Sequence, residues 1–416
     1  MTRFRLLYVG LVGAGLGLTL LPHAPLGIAV AQAQDEDKLR PEVGKPLQKA
    51  QEFVKQHKFS EAGTQLRDAE AAKNKTAYES FVIEQMRGAI AQASGDTAGA
   101  SKSFQAQLAS GRVTGAEQTK LVLAVASMSY QAKDYPTAIT WFTRYFKEPG
   151  ADPANRTFLI QSYYLSGDYA NAGKAQAEQI VAEEKANAKP SEEQLQLLAA
   201  CQTQTKDNAG FAATMEKLVV YYPKKDYWAQ LIHGLQVKPG FSDRLTLDLD
   251  RLQLAVGTLA ASAQYMDMAQ IALQAGLTGE AKAIVDKGYA AGVLGTGTEA
   301  PRQQRLKDLV TRTIADDQQT MGKGDAEAAA AKDGTALFDI GAKYVSYGQF
   351  DKGIPAMEQG IRKDALKHPE DAKLHLGLAY LAAGQKAKAV QMLKTVGGTD
   401  GTADLARLWI LQIGKV

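Results

Sequence analysis

The sequence predicts an all-α fold, an α-α superhelix of stacked helix pairs, and three observations predict it. A small residue returns at Ala62, Ala100, Ala138, Ala172, Ala281, Gly353 and Ala389, with Phe211 in the same slot. The steps are 38, 38, 34, 39, 70, 72 and 36 residues. The two long steps are double, so one unit of about 36 residues runs through the chain, the length of a helix pair. The surroundings of each beat also repeat: Ile340-Gly341, Tyr344, Gly348, Gly353-Ile354 and Met357 return as Leu376-Gly377, Tyr380, Gly384, Ala389-Val390 and Leu393. Finally, Gly348 and Gly384 fall where a first helix must stop and the chain reverse, a place that favours a left-handed residue.

This pattern resembles the tetratricopeptide repeat (TPR), an antiparallel helix pair. The Leu-Gly pair and Tyr lie at i, i+1 and i+4 of the first helix, so they share its inner face, and Gly admits the second helix closely. Ala or Gly at the beat removes bulk where two helices cross. In order, Phe59 to Leu66, Gly95 to Phe104, Tyr135 to Phe142 and Gly167 to Ala172 form the first four copies, and Lys206 to Met215 the fifth, ending at Pro223. A degenerate copy holds Trp228, Leu231, Leu235, Phe241 and Leu245 around a Pro239-Gly240 turn. Gly276, Ala281 and Val285 mark the next. Arg302 to Met321 and the alanine-rich run Asp325 to Ala331 fill a second degenerate slot, before the clear pair at 333–400. The reading is about eight recognisable plus two degenerate repeats: a five-repeat array over 34–225, a degenerate region over 226–332 with one clearer repeat near 265–298, the pair, and a capping helix over 401–416.

Residues 1–33 read as a signal peptide. Arg3 and Arg5 precede the uncharged apolar run Leu6 to Leu21, and Ala31-Gln32-Ala33 has the small-x-small pattern of a cleavage site. Export to the periplasm is the expectation; an uncleaved inner-membrane anchor is the alternative, although Pro22 and Pro25 interrupt the stretch and sixteen apolar residues are short for a span. Within it, Gly13-Ala14-Gly15-Leu16-Gly17 imitates a dinucleotide fingerprint without the strand, crossover or acidic partner that would make one. Gly292 to Gly297 imitates a phosphate loop, but Glu299-Ala300 stands where Lys-Ser/Thr is needed, so it reads as a loop between helices.

The whole chain has a formal charge of +3, and the lysines alternate with acids along helices, so there is no basic stripe for nucleic acid. Beyond residue 33 no apolar run is long enough to span a bilayer. Cys201 stands alone beside Leu197, Leu198, Ala199 and Ala200 and reads as a buried packing residue. His57, His233, His368 and His375 are scattered over different repeats without an i, i+4 pair and acid, so no metal and no cofactor is expected. No Gly-x-Ser-x-Gly elbow occurs, and the acid pairs Glu183-Glu184, Glu192-Glu193 and Asp316-Asp317 are adjacent, pointing about 100° apart on a helix. The chain reads as non-enzymatic.

The resemblance implies a ligand wall made from fixed positions of each first helix. Carried over, they are Gln51, Val54 and Lys55; then Gln85 and Gln92; then Leu123, Tyr130 and Gln131. The next units supply Thr157, Gln161, Tyr164 and Leu165, followed by Gln196, Thr203 and Gln204. A carboxylate clamp of the family would want Lys where Leu123, Thr157 and Gln196 stand, and Asn where Ser127 and Gln161 stand. The implied wall is instead amide- and tyrosine-rich, suited to an uncharged or mixed extended peptide, since amides both donate and accept and Tyr offers flat area at low entropic cost. Its candidate residues are Gln85, Gln92, Tyr130, Gln131, Gln161, Tyr164, Gln196 and Gln204.

Thr402 to Ile413 is apolar on most of its circumference, whereas a capping helix should be polar outside. Either a second copy covers it, making Trp409 an interface residue of a homo-oligomer, or the chain itself buries more than usual. Lastly, Tyr221 to Trp228, Tyr265 to Gln270 and Gly288 to Gly297 resemble an exported proteobacterial TPR family that accompanies TonB, ExbB and ExbD. That resemblance implies a scaffold whose partner is a periplasmic segment of such a complex. The competing readings are an accessory or catalytic protein of envelope polymer processing, with groove tyrosines stacking on polysaccharide or peptidoglycan sugars, and an inner-membrane-anchored assembly factor.

Overall fold

The computed structural model describes residues 37–363 and 365–414. The signal-peptide expectation, on residues 1–33, lies outside them. The described residues form twenty-one α-helices joined by short turns and contain no strand, an α-α superhelix of stacked pairs. The chain divides into two compact units, 1–207 and 208–416.

The first unit holds α1 (Pro41–Lys55), α2 (Phe59–Glu70), α3 (Ala77–Ser94), α4 (Thr97–Ala109), α5 (Gly115–Gln131), α6 (Tyr135–Tyr145), α7 (Arg156–Leu165), α8 (Tyr169–Lys185) and α9 (Glu192–Gln204). Packing is sequential: α1 lies on α2, α2 on α3, and so on to α8 on α9, with α1 also touching α3. The beat belongs to the second helix of each pair. Ala62, Ala100, Ala138 and Ala172 are all 0 % exposed, each at a helix crossing where a larger side chain would hold the pair apart.

The reversals share one construction. The residue entering each second helix is left-handed, namely His57, Gly95, Lys133 and Gly167, with φ between 56° and 86°. The next residue caps the helix in three of the four: Asp96 accepts from the Gly99 amide at 2.9 Å, Asp134 from Thr137 at 3.3 Å and Asp168 from Asn171 at 3.2 Å. Each cap satisfies a backbone donor the helix start leaves open, and is worth about 1 kcal/mol. Two first helices open on reciprocal capping boxes, Thr76 with Glu79 and Ser191 with Gln194. Between pairs the filling is aromatic, as where fully buried Phe142 on α6 stacks on Phe158 of α7 with centroids 6.1 Å apart. Cys201 is buried, and burial pushes its thiol up to about 11, which leaves it an inert packing group as expected.

The second unit begins with α10 (Asn208–Tyr221), α11 (Lys225–Gln236) and α12 (Thr246–Val256), which carry the fifth beat and the first degenerate slot. Phe211 is only half-buried, in keeping with a slot where the small residue is missing. Then come α13 (Ser262–Gln274) with α14 (Thr278–Ala290), α15 (Ala300–Thr320), α16 (Asp325–Ala330), the pairs α17 (Thr335–Ser346) with α18 (Phe350–Arg362) and α19 (Pro369–Ala382) with α20 (Lys386–Leu393), and α21 (Thr402–Ile413). Gly348 and Gly384 take φ of 74° and 76°, the left-handed reversals anticipated from sequence. At Gly341 a Cβ would stand 2.8 Å from the Gly353 carbonyl oxygen on the facing helix, so both glycines are needed for α17 and α18 to touch.

Unit 2 closes on itself. α21 packs not only on α19 and α20 but also on α10 and α12. Around that seam Ser242 N donates to the Asp400 carbonyl at 2.9 Å, Lys238 Nζ meets Asp404 Oδ2 at 2.6 Å, and Arg407 Nη2 meets Glu216 at 3.0 Å. Arg244 Nε bonds Asp371 Oδ2 at 2.8 Å, and its Nη2 reaches Asp400. Of the two readings of Trp409, burial within the chain accounts for its surroundings: it is 6 % exposed, and Leu405, Leu408 and Ile413 beside it are buried too. Most of the apolar circumference of the last helix is covered by its own chain, because α10 and α12 pack on it, while Ile410 and Leu411 stay half-buried.

Candidate functional site

The eight wall residues fall on four successive first helices of unit 1: Gln85 and Gln92 on α3, Tyr130 and Gln131 on α5, Gln161 and Tyr164 on α7, Gln196 and Gln204 on α9. Gln85 and Gln92 are seven residues apart, two helical turns, and so share a face. None of the eight is fully buried. Gln92, Gln131 and Gln204 are exposed, and the other five are half-buried.

The structure joins two of them directly. Tyr130 Oη donates to Gln161 Oε1 at 2.7 Å, bridging α5 and α7, and this bond leaves both Gln161 Nε2 hydrogens unused. The Tyr130 ring sits edge-on to Phe158 at 5.4 Å and to Tyr135 at 6.0 Å, while Tyr164 sits edge-on to Tyr169 at 5.3 Å. Such contacts fix the rings without hiding their outer faces. Burial pushes both phenols up, with smaller contributions from Tyr135 on Tyr130 and from Tyr169 on Tyr164, so each stays a neutral hydrogen-bonding group. Gln196 Nε2 reaches Glu192 Oε1 at 3.5 Å on its own helix. No hydrogen bond among the described residues ties Gln85 or Gln92 to the Tyr130–Gln161 pair.

Unit 2 contains a polar centre that the sequence reading missed. Arg251 on α12 grips Glu280 of α14 with both ends of its fork, Nε to Oε1 at 2.7 Å and Nη2 to Oε2 at 2.6 Å, and its Nη1 holds Asp248 Oδ1 at 2.6 Å. Asp248, 3 % exposed, takes His375 Nε2 of α19 at 3.0 Å on its other oxygen. Burial alone would raise the Asp248 carboxyl; the charges of His375 and Arg251 and their hydrogen bonds overcome it and hold the group at about 2. For Arg251 burial works against the charge, and Glu280 and Asp248 more than restore it. A signal existed in the sequence. Asp248 and Arg251 interrupt a run whose Leu247, Leu249 and Leu252 are all buried, and charges in such a run must be paired. A second link of this kind joins α15 to α17, where Asp317 accepts from Lys343 Nζ and Tyr347 Oη, each at 2.6 Å.

Arg251, Glu280 and His375 also line a 530 Å³ cavity inside unit 2. Among the described residues no group of three or more His, Cys, Asp or Glu could hold a metal ion, and no helix is long and apolar enough to cross a membrane.

No protein-family model matches the chain, and no curated protein matches it. Several solved structures are similar in the course of their helices. The chain is 15 % identical to a chain in the structure of Naa15/Naa10 bound to HypK-THB, with 86 % of this chain and 58 % of that one covered and a TM-score of 0.32. It therefore spans less than two thirds of that relative's length. With the TPR2AB-domain:pHSP90-complex of yeast Sti1 the identity is 12 %, the coverage 72 % and 99 %, and the TM-score 0.24. With yeast Tom70 these figures are 12 %, 90 % and 96 %, and 0.25. All three TM-scores are low, and the assignment of a helical superhelix rests on this chain's own helix pairs.

Proposed function

We propose that the protein is a non-enzymatic scaffold that holds an extended segment of a protein partner along the first-helix wall of unit 1. The observation that carries this reading is the run of accessible amides and tyrosines on successive first helices, with Tyr130 and Gln161 bonded across two of them. The beat residues of the second helices are wholly buried, while the amides and tyrosines of α3, α5, α7 and α9 all keep accessible surface. A side chain needed only for packing would be buried, and one placed only for solubility would more often be charged. Gln and Tyr can pair with the peptide groups of an extended segment, whichever way it runs. The finer reading, that the protein is exported to the periplasm and serves a TonB/ExbB/ExbD complex, rests on the family resemblance and on residues 1–33.

A photoreactive residue placed at Gln131 or Gln204, both exposed, tests the wall directly. Crosslinks to a defined stretch of one protein, lost when Tyr130, Gln161 and Tyr164 are together changed to Ala, are the expected outcome. Crosslinks to glycan or lipid alone, or a protein crosslink that survives the triple change, would return the wall to ordinary helix surface. The amino terminus of the purified protein tests export: a chain starting at Gln34 is expected, and an intact Met1 would favour the anchored form.

A further inference from the structure

We propose that the cavity of unit 2 is a binding site for a single-chain amphiphilic carboxylate, a fatty-acid-like molecule, with its alkyl chain inside and its head group at Lys287. The site lies wholly in unit 2 and is independent of the wall reading.

The cavity exists because the unit closes. α12, α14, α17, α19 and α21 all contribute to its lining, and α21 is brought there by the seam at Asp400 and Asp404. Its volume of 530 Å³ falls within the roughly 300–1,000 Å³ of small-molecule sites. Met268, Ile284, Met357, Ala379 and Trp409 form a buried apolar floor. Above it Leu254, Leu277, Val345, Leu378 and Leu381 are only half-buried, so leucine side chains face the open space. Water gains little from such a lining, whereas an alkyl chain removes it from solvent. Two methionines add a surface that adapts to a flexible chain.

The charges choose the head group. Three residues of the lining can carry positive charge, Arg251, Lys287 and His375, against the single carboxylate of Glu280. Arg251 already satisfies Glu280 in a two-point pair, and His375 is engaged by Asp248. Lys287 lies two turns beyond Glu280 on α14, is exposed, and has no ion-pair partner among the described residues. An anion seated there gains a charge-assisted contact while its chain follows Ala283 and Ile284 down the same helix face. A cationic head would meet Lys287 first and find Glu280 occupied. The volume and the lone cation thus suit one chain with one carboxylate.

Calorimetric titration of the full chain with dodecanoate, kept below its micelle concentration, tests this. Expected is saturable 1:1 binding. Ala283→Trp fills the mouth from an exposed helix position and should weaken binding by about tenfold or more, equivalent to ~1.4 kcal/mol. Lys287→Glu should weaken dodecanoate about fivefold or more and leave dodecanol, the same chain without charge, unchanged. Circular dichroism checks that each variant is folded, and Ala382→Trp, also at an exposed lining position, replaces Ala283→Trp if that variant is not. No saturable binding, or binding indifferent to both tryptophans, would overturn the site. Tighter binding of dodecylammonium than of dodecanoate would overturn the head-group assignment. Capture of an apolar peptide in place of dodecanoate, blocked by the same tryptophan, would overturn the small-molecule reading.

Discussion

Unit 1 and unit 2 are built from the same helix pair yet are stabilised in different ways. In unit 1 each helix leans on its sequence neighbour, so stability is close to a sum over adjacent pairs. In unit 2 residues more than a hundred positions apart are bonded, such as Asp248 with His375 and Lys238 with Asp404. Ring closure converts a one-dimensional array into a body in which a local loss is felt throughout. It also shapes the 530 Å³ cavity between its helices. The repeat motif fixes how neighbours pack, and the apolar last helix together with the charged residues of the seam closes the stack.

Removing one end of each unit should break the comparison most visibly. A chain stopped after Asp400 loses the burial of Leu405, Leu408, Trp409 and Ile413, a gross cost of about 6 kcal/mol or more at 1.5–3 kcal/mol for each large side chain. Hydrogen exchange should then show lost protection in α10 and α12 as well as in α19. Deleting α1 and α2 should leave protection in α5 to α8 within a few-fold of the intact protein; loss there would mean unit 1 is as cooperative as unit 2.

Next in size is Arg251→Ala, which strips Glu280 of its partner and leaves Asp248 with His375 alone, and should cost about 3 kcal/mol in denaturant unfolding. Arg144→Ala in unit 1, whose partner Glu148 is four residues away and whose own side chain is 40 % exposed, should cost less than about 1 kcal/mol. Equal losses would remove the distinction drawn between closed and sequential packing.

A pH series sharpens it further. Burial, with the neighbouring Asp267 charge second, pushes the Asp250 carboxyl of α12 up to about 6. Its folded-state value exceeds its unfolded one, so its charged form costs stability above pH 6, and that cost fades as pH falls toward 4. Asp250→Asn should therefore raise the stability of unit 2 by roughly 1–3 kcal/mol at pH 8, with the gap closing by pH 4. Asp248 has the opposite sign: its depressed value stabilises the fold above about pH 4, and that contribution is lost as pH falls through about 2. A gap that stays constant between pH 8 and pH 4 would show that Asp250 is not the titrating group.

The smallest effect belongs to the reversals of unit 1. Lys133 has φ of 61°, in the slot that Gly95 and Gly167 fill elsewhere. Lys133→Gly should gain about 0.5–1 kcal/mol in thermal unfolding by relieving the left-handed strain, offset in part by the freedom glycine has when unfolded. A loss of stability would mean the lysine side chain holds the turn in some other way.

Most of the fold was legible because the repeat is a local pattern. The beat residues Ala62, Ala100, Ala138 and Ala172 all fall on second helices, and Thr402 to Ile413 is the last helix as read. Even the degenerate slots were visible, at Trp228 to Leu245 and Arg302 to Met321, through apolar spacing alone. The ring was not legible. It depends on Asp248, Arg251 and Glu280 meeting His375, and on Arg244 meeting Asp371 and Asp400, and nothing in a 36-residue period couples positions so far apart. The apolar surface of α21 was noticed, but sequence could not say whether another molecule or α10 and α12 covered it. The left-handed turns at His57 and Lys133 were hidden for a simpler reason: the position demands a conformation, and glycine is only its easiest supplier. The wall residues were named from a family pattern, and the structure shows which pair is bonded, not what they hold.

The seam of unit 2 also sets an order of events during synthesis. A growing chain exposes the α12 surface about 150 residues before Asp404 is made to meet Lys238, and no earlier segment supplies the missing face. Closing so long a loop carries an entropic cost that must be met before its contacts repay it. Closure of this half therefore waits on translation of its last helix. Until then, the part of α12 that packs on α21 is a surface a holding chaperone could meet.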